Sequence, residues 1–535
     1  MRSISISKPA HEPVIDYRCD DAARDALRRA VDGIPSDFEV PLVINGEEIL
    51  ASEKIESVNP ATGEVFCLAQ KATPEHAQAA VQAALAARET WGRLPIEARV
   101  QKFRDLEWIL WQRRYETMAV AAVECGFTPN EVAGSWAEMM DFIRFNPHWL
   151  LELAATIMGD GKAETNTMAL RPLKGFTAAI TPFNFPLAIG YNLPTAMALC
   201  GNGVVWKPAS DAPMTSWMLM QAIRDAGFPP GVINMVTGSG RDIMAPVLGH
   251  RELNAVNFTG GVDTARTIAG SLYCAMAQRP HFPRFVAETG GKDFMMVDRD
   301  VDAWDAAWCI VHGAFGRAGQ KCSANSLVLP DRRAWPDLEA AILMQMKSWR
   351  TADPTDAFTD MGPVINRNAY DSITGYIERA KKDPNVKTLW GGEHTAEKGF
   401  WIQPTLFLVD ADDHELLREE IFGPVTAIRV VEDADHALRI IRKHPYRLTG
   451  AVWSRDEAWL DRWVPVFSEY AGNFYINRKT TGATVDQQPF GGDGLSGTNY
   501  KAGGAWYLLQ FLSQGLITRR HGRTLADPGL WGWSR

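Results

Sequence analysis

The sequence predicts an α/β protein with two successive parallel sheets, each covered by helices on both faces. Between about residues 175 and 290, five short apolar runs end in glycine or proline and alternate with helical stretches. The same alternation returns after residue 293. Short buried strands that alternate with helices are typical of parallel sheets wound on both faces.

The part of the chain before these sheets is predicted to be mostly helical. The first 40 residues mix charges and prolines, so we expect the ordered fold to begin at "PLVINGEEI", residues 41–49, a hairpin that turns at Asn45-Gly46. The segment "TPEHAQAAVQAALAARETWG" at 73–92 is an alanine-rich helix whose Thr-Pro start suits an N-cap and first helical position. Charged amphipathic helices continue to about residue 155.

The two sheets follow in chain order. Strand candidates of the first sheet are "GFTAAITP", "GVVWKP", "GVINMVTG", "AVNFTG" and "RFVAETGG", with a helix at 213–226 among them. Those of the second sheet are "DFMMVD", "SLVLP", "TAIRVV" and "LTGAVWS", separated by helices near 302–316, 335–348 and 366–382. No internal repeat of about 20–50 residues is present, which argues against solenoid and propeller folds.

Composition and charge exclude several classes of protein. The 535 residues are 46% hydrophobic and 22% charged, near globular averages. A net charge of −9 gives no general basic surface, so nucleic acid is not an expected partner. The seven cysteines are scattered without CxxC pairs, which argues against a disulfide framework and a zinc site. With no leader-like or membrane-span pattern either, we expect a cytoplasmic protein with no membrane partner.

Ligands bind beyond the carboxyl ends of the strands in open α/β sheets, so polar and glycine residues after the apolar runs are candidates for a site. Residues in loops that enter a helix are candidates too, and the two groups together are Asn184, Lys207, Gly260, Glu288 and Cys322. The turns "VTGSGRDIM" at 236–244 and "NFTGGVDTAR" at 257–266 offer N–H groups to a phosphate at a helix start. Neither turn matches GxGxxG, and a plain strand-to-helix connection is the alternative for both.

Cys322 is the strongest single candidate. It lies in "RAGQKCSANS", residues 317–326, among small and polar neighbours that suit an accessible nucleophilic thiolate. Cys200, Cys274 and Cys309 lie in apolar helical surroundings and suit a packed core. No histidine stands near Cys322 in a cysteine-protease signature.

The other three polar candidates have ordinary alternatives. Glu288 suits proton transfer, or is a solvated or capping glutamate. Lys207 suits a phosphate or hydroxyl contact, or extends to solvent at a strand end. Asn184 suits an oxyanion hole or a turn.

Six motifs in a fixed order identify a family. "TPFNFP", "WKPAS", "NFTGG", "AETGGKD", "GQKCSA" and "EEIFGPV" resemble the aldehyde dehydrogenase superfamily over about residues 40–515. The resemblance implies a Rossmann-like cofactor domain, an α/β catalytic domain and a small β oligomerisation flap. "AEMMDFIRFNPHW" at 137–149 and "INRKTTGATVDQQPFGGDGLSGTNYKAGG" at 476–504 are similar to the subgroup that oxidises L-glutamate γ-semialdehyde in proline catabolism.

The resemblance also implies a division of the chain into domains and at least a homodimer. The predicted units are an N-terminal extension at 1–40, an NAD-binding domain at 41–155 and 175–288, a catalytic domain at 289–476, a flap with a substrate anchor loop at 156–174 and 477–520, and a C-terminal tail at 521–535. The tail either packs on a neighbouring subunit or frays.

The resemblance assigns catalytic roles to three side chains. Cys322 attacks the aldehyde carbon, and the Asn184 amide and the backbone N–H of Cys322 hold the oxyanion. Glu288 activates the water that hydrolyses the resulting thioester. Thiol, amide and carboxylate suffice for this chemistry, so we expect no metal.

The resemblance further implies an NAD cofactor. The implied contacts to ribose, pyrophosphate and nicotinamide come from Lys207, Glu420, Gly260, Gly261 and Phe422. Ser210 stands where NAD-preferring relatives carry a glutamate for the adenosine 2′-hydroxyl. A serine does not repel a 2′-phosphate, so we expect NAD use with some tolerance of NADP.

For the substrate, the resemblance implies a carboxylate loop, an acid for the amine and aromatic walls. These residues are Ser323, Gly482 and Ala483 for the carboxylate, Glu138 for the ammonium, and Phe185 and Phe490 for the methylenes. A helix-surface charge is the alternative for Glu138, and core packing is the alternative for the two phenylalanines.

The chain departs from the family pattern at three positions, and other functions stay open. Asp486 replaces an expected glycine, Asp493-Gly494 replaces a basic residue, and Ala265 replaces a common glycine. Two added acids near a carboxylate loop favour a related semialdehyde or a less anionic aldehyde as an alternative substrate. A catalytically inactive binding protein and a thiol hydrolase acting on esters are alternatives from other classes.

Overall fold

A computed structural model describes residues 7–156, 158–161 and 164–521. Two seven-stranded sheets form its framework. The tail predicted at 521–535 lies outside these residues except for His521. Among the residues described, no helix has the length and apolar character to cross a membrane.

The first sheet contains the five strands predicted between residues 175 and 290. The inner strands pair in parallel, as predicted. The predicted hairpin extends one edge antiparallel, and its turn residues Asn45 and Gly46 have φ of 53° and 79°, as a type I′ turn requires. In spatial order the strands are Arg284–Glu288, Leu253–Thr259, Phe176–Ile180, Val204–Lys207, Ile233–Met235, Leu42–Ile44 and Glu47–Ile49.

The second sheet contains the four strands predicted after residue 293 and three more. Its strands are parallel except at one edge, where Val386–Trp390 runs antiparallel to its neighbour. In spatial order the strands are Val386–Trp390, Thr405–Val409, Val425–Ile428, Asn325–Pro330, Asp293–Val297, Thr449–Trp453 and Asn473–Ile476.

Smaller sheets complete the strand set. A long antiparallel ribbon pairs Glu164–Pro172 with Leu512–Arg520, joining two segments far apart in sequence. A three-stranded sheet contains Phe38–Val40, Val65–Gln70 and Lys54–Val58, and two short pairs are His394–Thr395 with Trp401–Ile402 and Tyr446–Arg447 with Asp493–Gly494.

Helices cover both faces of the two large sheets, and the predicted helices are present. Thr73 caps the alanine-rich helix and Pro74 opens it, as the sequence predicts. The helices are Asp21–Asp32, Pro74–Trp91, Ile96–Gln112, Arg114–Cys125, Pro129–Ala154, Ala188–Leu199, Pro213–Asp225, Gly240–Gly249, Val262–Cys274, Ala303–Phe315, Trp335–Ser348, Arg367–Ala380, Glu415–Arg418, Ala434–Ile441, Glu457–Phe467 and Ala505–Leu508.

The expectation that the ordered fold begins near residue 41 is wrong. Asp20 caps the helix Asp21–Asp32 by accepting a hydrogen bond from the backbone N–H of Ala23, 2.9 Å away. Leu27 lies one turn beyond Ala23 and both are buried, so this face packs on the core. This short capped helix was not predicted from the sequence because the segment mixes prolines and charged residues.

The connection from the first sheet to the second determines where a site can form. The strand Arg284–Glu288 ends at its carboxyl edge, and only four residues separate it from the strand Asp293–Val297. The segment bearing Cys322 precedes the strand Asn325–Pro330, which pairs in parallel with Asp293–Val297. The carboxyl edge of one sheet therefore meets the amino edge of the other.

Candidate active site

A cavity of about 570 Å³ lies at this junction of the two sheets. Both Cys322 and Glu288 line it. The cavity lining includes eight of the residues expected from the sequence: Cys322, Glu288, Glu138, Phe185, Ser323, Gly482, Ala483 and Phe490.

The loop before Cys322 has an unusual backbone. Arg317, Ala318 and Gly319 have φ of 61°, 51° and 65°, three consecutive left-handed residues. Such conformations cost free energy in non-glycine residues and are often found at functional sites. A Cβ on Gly319 would lie 2.1 Å from the carbonyl oxygen of Gly423, so only glycine fits there.

Cys322 is half-buried as a residue, and its thiol lies among carboxyl groups. Burial, followed by the charges of Asp293 and Glu288, raises the pKa of Cys322 well above its usual value. The thiol is therefore protonated near neutral pH, and its attack requires a proton acceptor. Cys200 and Cys309 are buried as expected, whereas Cys274 is exposed at the end of its helix, so that expectation of a core thiol is wrong.

Asn184 is buried next to the cysteine loop. Its side-chain Nδ2 donates a hydrogen bond to the backbone carbonyl of Gln320, at 3.0 Å. Gln320 is itself fixed, because its Oε1 accepts from the N–H of Ile365 at 2.9 Å. The amide thus holds the loop two residues before the thiol.

Glu288 ends the strand Arg284–Glu288 with its carboxyl group toward the cavity. Its Oε2 is buried and has no hydrogen-bond partner among the residues described. Burial raises the pKa of Glu288 well above its usual value, and the Lys501 ammonium opposes this shift. A Cβ on Gly491 would lie 2.9 Å from Glu288 Oε1, so a glycine makes room for the carboxyl group.

Glu138 lies on the helix Pro129–Ala154, one turn before Asp141. Burial and then the Asp141 charge raise the pKa of Glu138 to about 7, while the Lys321 ammonium opposes them. The expected alternative, a helix-surface charge, does not hold because Glu138 lines the cavity. This helix is largely interior rather than a charged amphipathic surface helix.

The predicted carboxylate loop lies at the cavity beside Ser323. Thr480 Oγ1 donates to the backbone carbonyl of Ser323 at 2.8 Å, which fixes the loop to the segment after Cys322. Gly482 has φ of 86°, a conformation that favours glycine. Arg478 donates to the carbonyl of Gly482 at 2.9 Å, so the turn is held from both ends.

The residues expected at the cofactor lie outside this cavity lining. Lys207 ends the strand Val204–Lys207, and its Nζ lies 3.4 Å from Ser210 Oγ. Burial lowers the pKa of Lys207 to about 8, and Asp211 opposes the shift. Gly261 precedes the helix Val262–Cys274, which has no side-chain cap, and a Cβ at Gly261 would meet no atom within 4 Å.

Glu420 and Phe422 lie between the two regions. Glu420 Oε1 accepts a hydrogen bond from the N–H of Gly291 at 3.0 Å, in the connection between the sheets. Burial raises the pKa of Glu420 to about 7. The Phe422 ring packs edge-on to Phe183, with centroids 6.1 Å apart, and its backbone has φ of 55°. The backbone N–H of Gly260 donates a hydrogen bond to the backbone carbonyl of Glu288, at 3.1 Å.

Several residues that line the cavity were not predicted from the sequence, among them Lys321 and a group from the N-terminal segment. Lys321 precedes the thiol directly and lines the cavity, and its place beside Cys322 in "GQKCSA" was the available signal. The N-terminal segment supplies His11, Glu12, Val14 and Arg18. His11 Nδ1 lies 2.8 Å from Asp141 Oδ2, a contact across 130 positions that no local pattern indicates.

The two unexpected acids do not face the cavity. Asp486 pairs with Lys8 at 2.5 Å, and exposed Asp493 lies 3.9 Å from Arg447. Neither lines the cavity. The concern that these acids repel a substrate carboxylate is therefore not supported by their positions.

Comparison with known proteins agrees with this geometry. The sequence profile of the aldehyde dehydrogenase family matches residues 49–516. The chain therefore belongs to the aldehyde dehydrogenase family, which confirms the predicted fold class.

Individual relatives show which members of the aldehyde dehydrogenase family this chain is similar to. The chain is 37% identical to the mitochondrial Delta-1-pyrroline-5-carboxylate dehydrogenase of Emericella nidulans, over 92% of this chain and 87% of the relative. It is also 37% identical to the 1-pyrroline-5-carboxylate dehydrogenase of Geobacillus kaustophilus, over 93% of this chain and 96% of the relative. Delta-pyrroline-5-carboxylate dehydrogenase from Mycobacterium tuberculosis, in a crystal structure with bound NAD, superposes with a TM-score of 0.93 at 33% identity, covering 99% of this chain and 100% of that one.

Proposed function

We propose that this chain oxidises L-glutamate γ-semialdehyde to L-glutamate with NAD. The observation that carries the proposal is a single cavity that holds a thiol, a carboxyl group and groups for both ends of an amino acid. Similarity to relatives named as 1-pyrroline-5-carboxylate dehydrogenases supports the same substrate.

Cys322 is the nucleophile in this proposal. The thiol proton passes to water as the sulfur attacks the aldehyde carbon, and a thiohemiacetal forms. An amide nitrogen carries two N–H groups, so Asn184 keeps one for the oxyanion after bonding the Gln320 carbonyl. The backbone N–H of Cys322 is the second donor. Donors aimed at developing charge are worth about 3–4 kcal/mol each.

The residues of the cofactor region fit NAD. Lys207 offers a buried ammonium. The open helix start at Gly261 offers N–H groups that suit a pyrophosphate. Glu420 offers a carboxyl group for ribose hydroxyls. Gly260 lies in the turn at 257–266 that we propose for the pyrophosphate, and Phe422 offers an aromatic surface for the nicotinamide. NAD held by these residues would supply the hydride acceptor that converts the thiohemiacetal on Cys322 to a thioester. The solved relative that contains NAD supports this choice.

Glu288 is the general base in the second half of the reaction. Its carboxylate takes a proton from water as the water oxygen attacks the thioester carbon. The carbon–sulfur bond then breaks, the thiolate of Cys322 leaves, and the carboxylic acid is released. The proton on Glu288 passes to solvent before the next cycle.

The two ends of the cavity suit a short amino-acid chain. The backbone N–H groups of Gly482 and Ala483 with Ser323 hold the α-carboxylate, and Glu138 pairs with the ammonium. Phe185 and Phe490 enclose the methylenes. The alternative, an aldehyde without these charges, leaves the Glu138 carboxyl group unpaired.

A substrate panel with NAD tests the proposal. We expect kcat/KM for glutamate γ-semialdehyde to exceed that for glutarate semialdehyde, which lacks the amine, and for an uncharged aliphatic aldehyde. Equal or better use of the uncharged aldehyde contradicts the substrate assignment. Repeating the panel with NADP tests Ser210, and a preference for NADP contradicts the cofactor assignment.

Assembly, compartment and domain limits complete the proposal. The ribbon of Glu164–Pro172 and Leu512–Arg520 exposes Leu516 and Ile517, which supports its use as a homo-oligomer contact.

All seven cysteines are free thiols, which supports a reducing cytoplasm. We retain the division near residue 289 between a cofactor domain and a catalytic domain, since each large sheet has its own core.

A further inference from the structure

We propose that Lys501 is a positioning residue for the general base: its fixed ammonium group offsets part of the cost of burying the Glu288 carboxylate and so favours the ionised form that accepts a proton from water. The inference rests on the proposed role of Glu288 in thioester hydrolysis. It assigns a function to a lysine outside the substrate cavity.

The Lys501 ammonium is held in one place by three oxygen atoms. Its Nζ donates to the carbonyl of Gly472 at 2.7 Å, to the carbonyl of Gly491 at 2.7 Å and to Asn473 Oδ1 at 3.1 Å. A protonated lysine has three N–H donors and no acceptor, so this set of acceptors matches the charged form. The ammonium is therefore a fixed charge rather than a mobile side chain.

The backbone at Lys501 is in a conformation that favours glycine. Its φ is 55°, and exposed Asn499 two residues earlier has φ of 56°. A non-glycine residue in this region costs free energy that the surrounding structure must offset. The three hydrogen bonds of the Lys501 side chain are part of the structure that holds the backbone there.

The segment carrying Lys501 is tied to the strand that carries Glu288. The N–H of Thr498 donates to the Ala287 carbonyl at 2.9 Å, and the N–H of Thr289 donates to the Ser496 carbonyl at 3.0 Å. Glu288 itself bridges Gly497. The hydrogen bonds on both sides of Glu288 fix its distance from the lysine.

Both side chains meet at Gly491. A Cβ built on Gly491 would lie 2.9 Å from Glu288 Oε1 and 3.3 Å from the backbone nitrogen of Lys501. The carbonyl of the same glycine accepts from the Lys501 ammonium. Gly491 thus separates the carboxyl group from the ammonium without a bulky side chain between them.

Charge at Glu288 follows from this arrangement. Burial raises the pKa of Glu288, and the Lys501 ammonium lowers it. The other titratable groups that face Glu288 are Cys322 and Tyr507, and neither is charged near neutral pH because burial raises both pKa values. Burial lowers the pKa of Lys501, and the carboxylates of Glu288 and Asp493 raise it and so stabilise the ammonium form.

A purely structural role for Lys501 is the competing explanation, because its three hydrogen bonds also join three loop segments. The two explanations differ in pH dependence. A lost counter-charge moves the pKa of Glu288 upward by about 1 unit or more. A lost structural contact lowers activity by a similar factor at every pH.

The test uses hydrolysis of p-nitrophenyl acetate, which acylates the cysteine without any cofactor. The burst of p-nitrophenol reports acylation of Cys322, and the later steady phase reports hydrolysis assisted by Glu288. Both phases are measured from pH 5 to 10 for the full chain and for Lys501→Met, Lys501→Gly and Asn499→Gly. Lys501→Gly relieves the backbone conformation while removing the charge, and Asn499→Gly is the matched backbone control.

We expect both lysine variants to keep the burst amplitude and to shift the acid limb of the steady phase upward by about 1 pH unit or more. Asn499→Gly is expected to leave the limb in place. An unshifted limb in Lys501→Gly, with Tm at or above that of the parent chain, overturns the inference. If the burst survives in Cys322→Ala, the nucleophile assignment fails and the inference fails with it, an outcome distinct from an unshifted limb.

Discussion

The substrate cavity and the cofactor region differ in their chemical groups and in the roles that we propose for them. In the cavity, the side chains that change protonation are enclosed, and burial raises the pKa values of Cys322, Glu288 and Glu138. In the cofactor region, the start of the helix at Gly261 stays open. Lys207 is a buried charged residue of that region. Burial also shifts the pKa of Lys207 to about 8 and that of Glu420 to about 7. The two regions therefore differ in the roles proposed for their groups, since the cavity contains the groups for bond making and for the substrate, whereas the cofactor region contains groups to hold NAD. Substitutions in the first region should change kcat and pH dependence, and those in the second should change KM for NAD.

The largest expected effect is at the nucleophile. Cys322→Ala removes the atom that forms the covalent intermediate, so kcat for aldehyde oxidation should fall by on the order of 10⁴-fold or more. NADH formation measured by absorbance reports the loss. Cys274→Ala, at an exposed thiol elsewhere in the chain, is the matched control and should keep full activity. Aldehyde oxidation that survives in Cys322→Ala contradicts the cavity's assignment as the reaction site.

The next effect is at the base. Glu288→Gln keeps the size of the side chain but cannot accept a proton, so steady turnover should fall by about 10²–10⁴-fold. Thiohemiacetal oxidation precedes the step that needs the base, so a rapid burst of about one NADH per chain should remain. Stopped-flow absorbance separates the two phases. Loss of the burst together with turnover would place Glu288 in the first half of the reaction instead.

A smaller effect is expected on the cofactor side. Lys207→Met removes the buried ammonium that we propose as a hydrogen-bond donor to the cofactor, and such bonds contribute about 1.5–3 kcal/mol. KM for NAD should rise by roughly 10–100-fold while the pH at half-maximal kcat stays in place. Initial rates over a range of NAD concentrations and pH give both quantities. A shift in that pH would show that the two regions are not independent.

The smallest expected effect concerns the substrate amine. The pKa of Glu138 is raised to about 7 by burial, so the group loses its negative charge as pH falls below that value. KM for glutamate γ-semialdehyde should therefore rise below pH 7, by up to about tenfold, while KM for glutarate semialdehyde stays flat. Glu138→Gln should show the high KM at every pH. A parallel rise for both aldehydes would remove Glu138 from the ammonium contact.

Much of the fold was predictable because it follows from local patterns. Apolar runs such as "GVVWKP" alternate with helices, and the Asn45-Gly46 turn and the Thr73 cap follow rules that need only neighbouring residues. The helix Asp21–Asp32 was missed because its apolar face contains few residues among many charges.

The site was predictable only through the ordered motifs. Residue by residue, Glu288 and Lys207 had ordinary alternatives, and Cys322 precedes its strand rather than following one. The contact of His11 with Asp141 and the place of Lys501 beside Glu288 depend on tertiary pairing across more than 100 positions. No periodicity in the sequence encodes such contacts.

The most direct test of the account is to trap the covalent intermediate. Glu288→Gln is incubated with NAD and glutarate semialdehyde, whose acyl chain has no amine to displace the sulfur, and the protein is digested and analysed by mass spectrometry. We predict one acyl group per chain, on the peptide that contains Cys322, formed only with NAD and released by hydroxylamine. NADH formation without an adduct on that peptide, or with the adduct on another cysteine, contradicts the account.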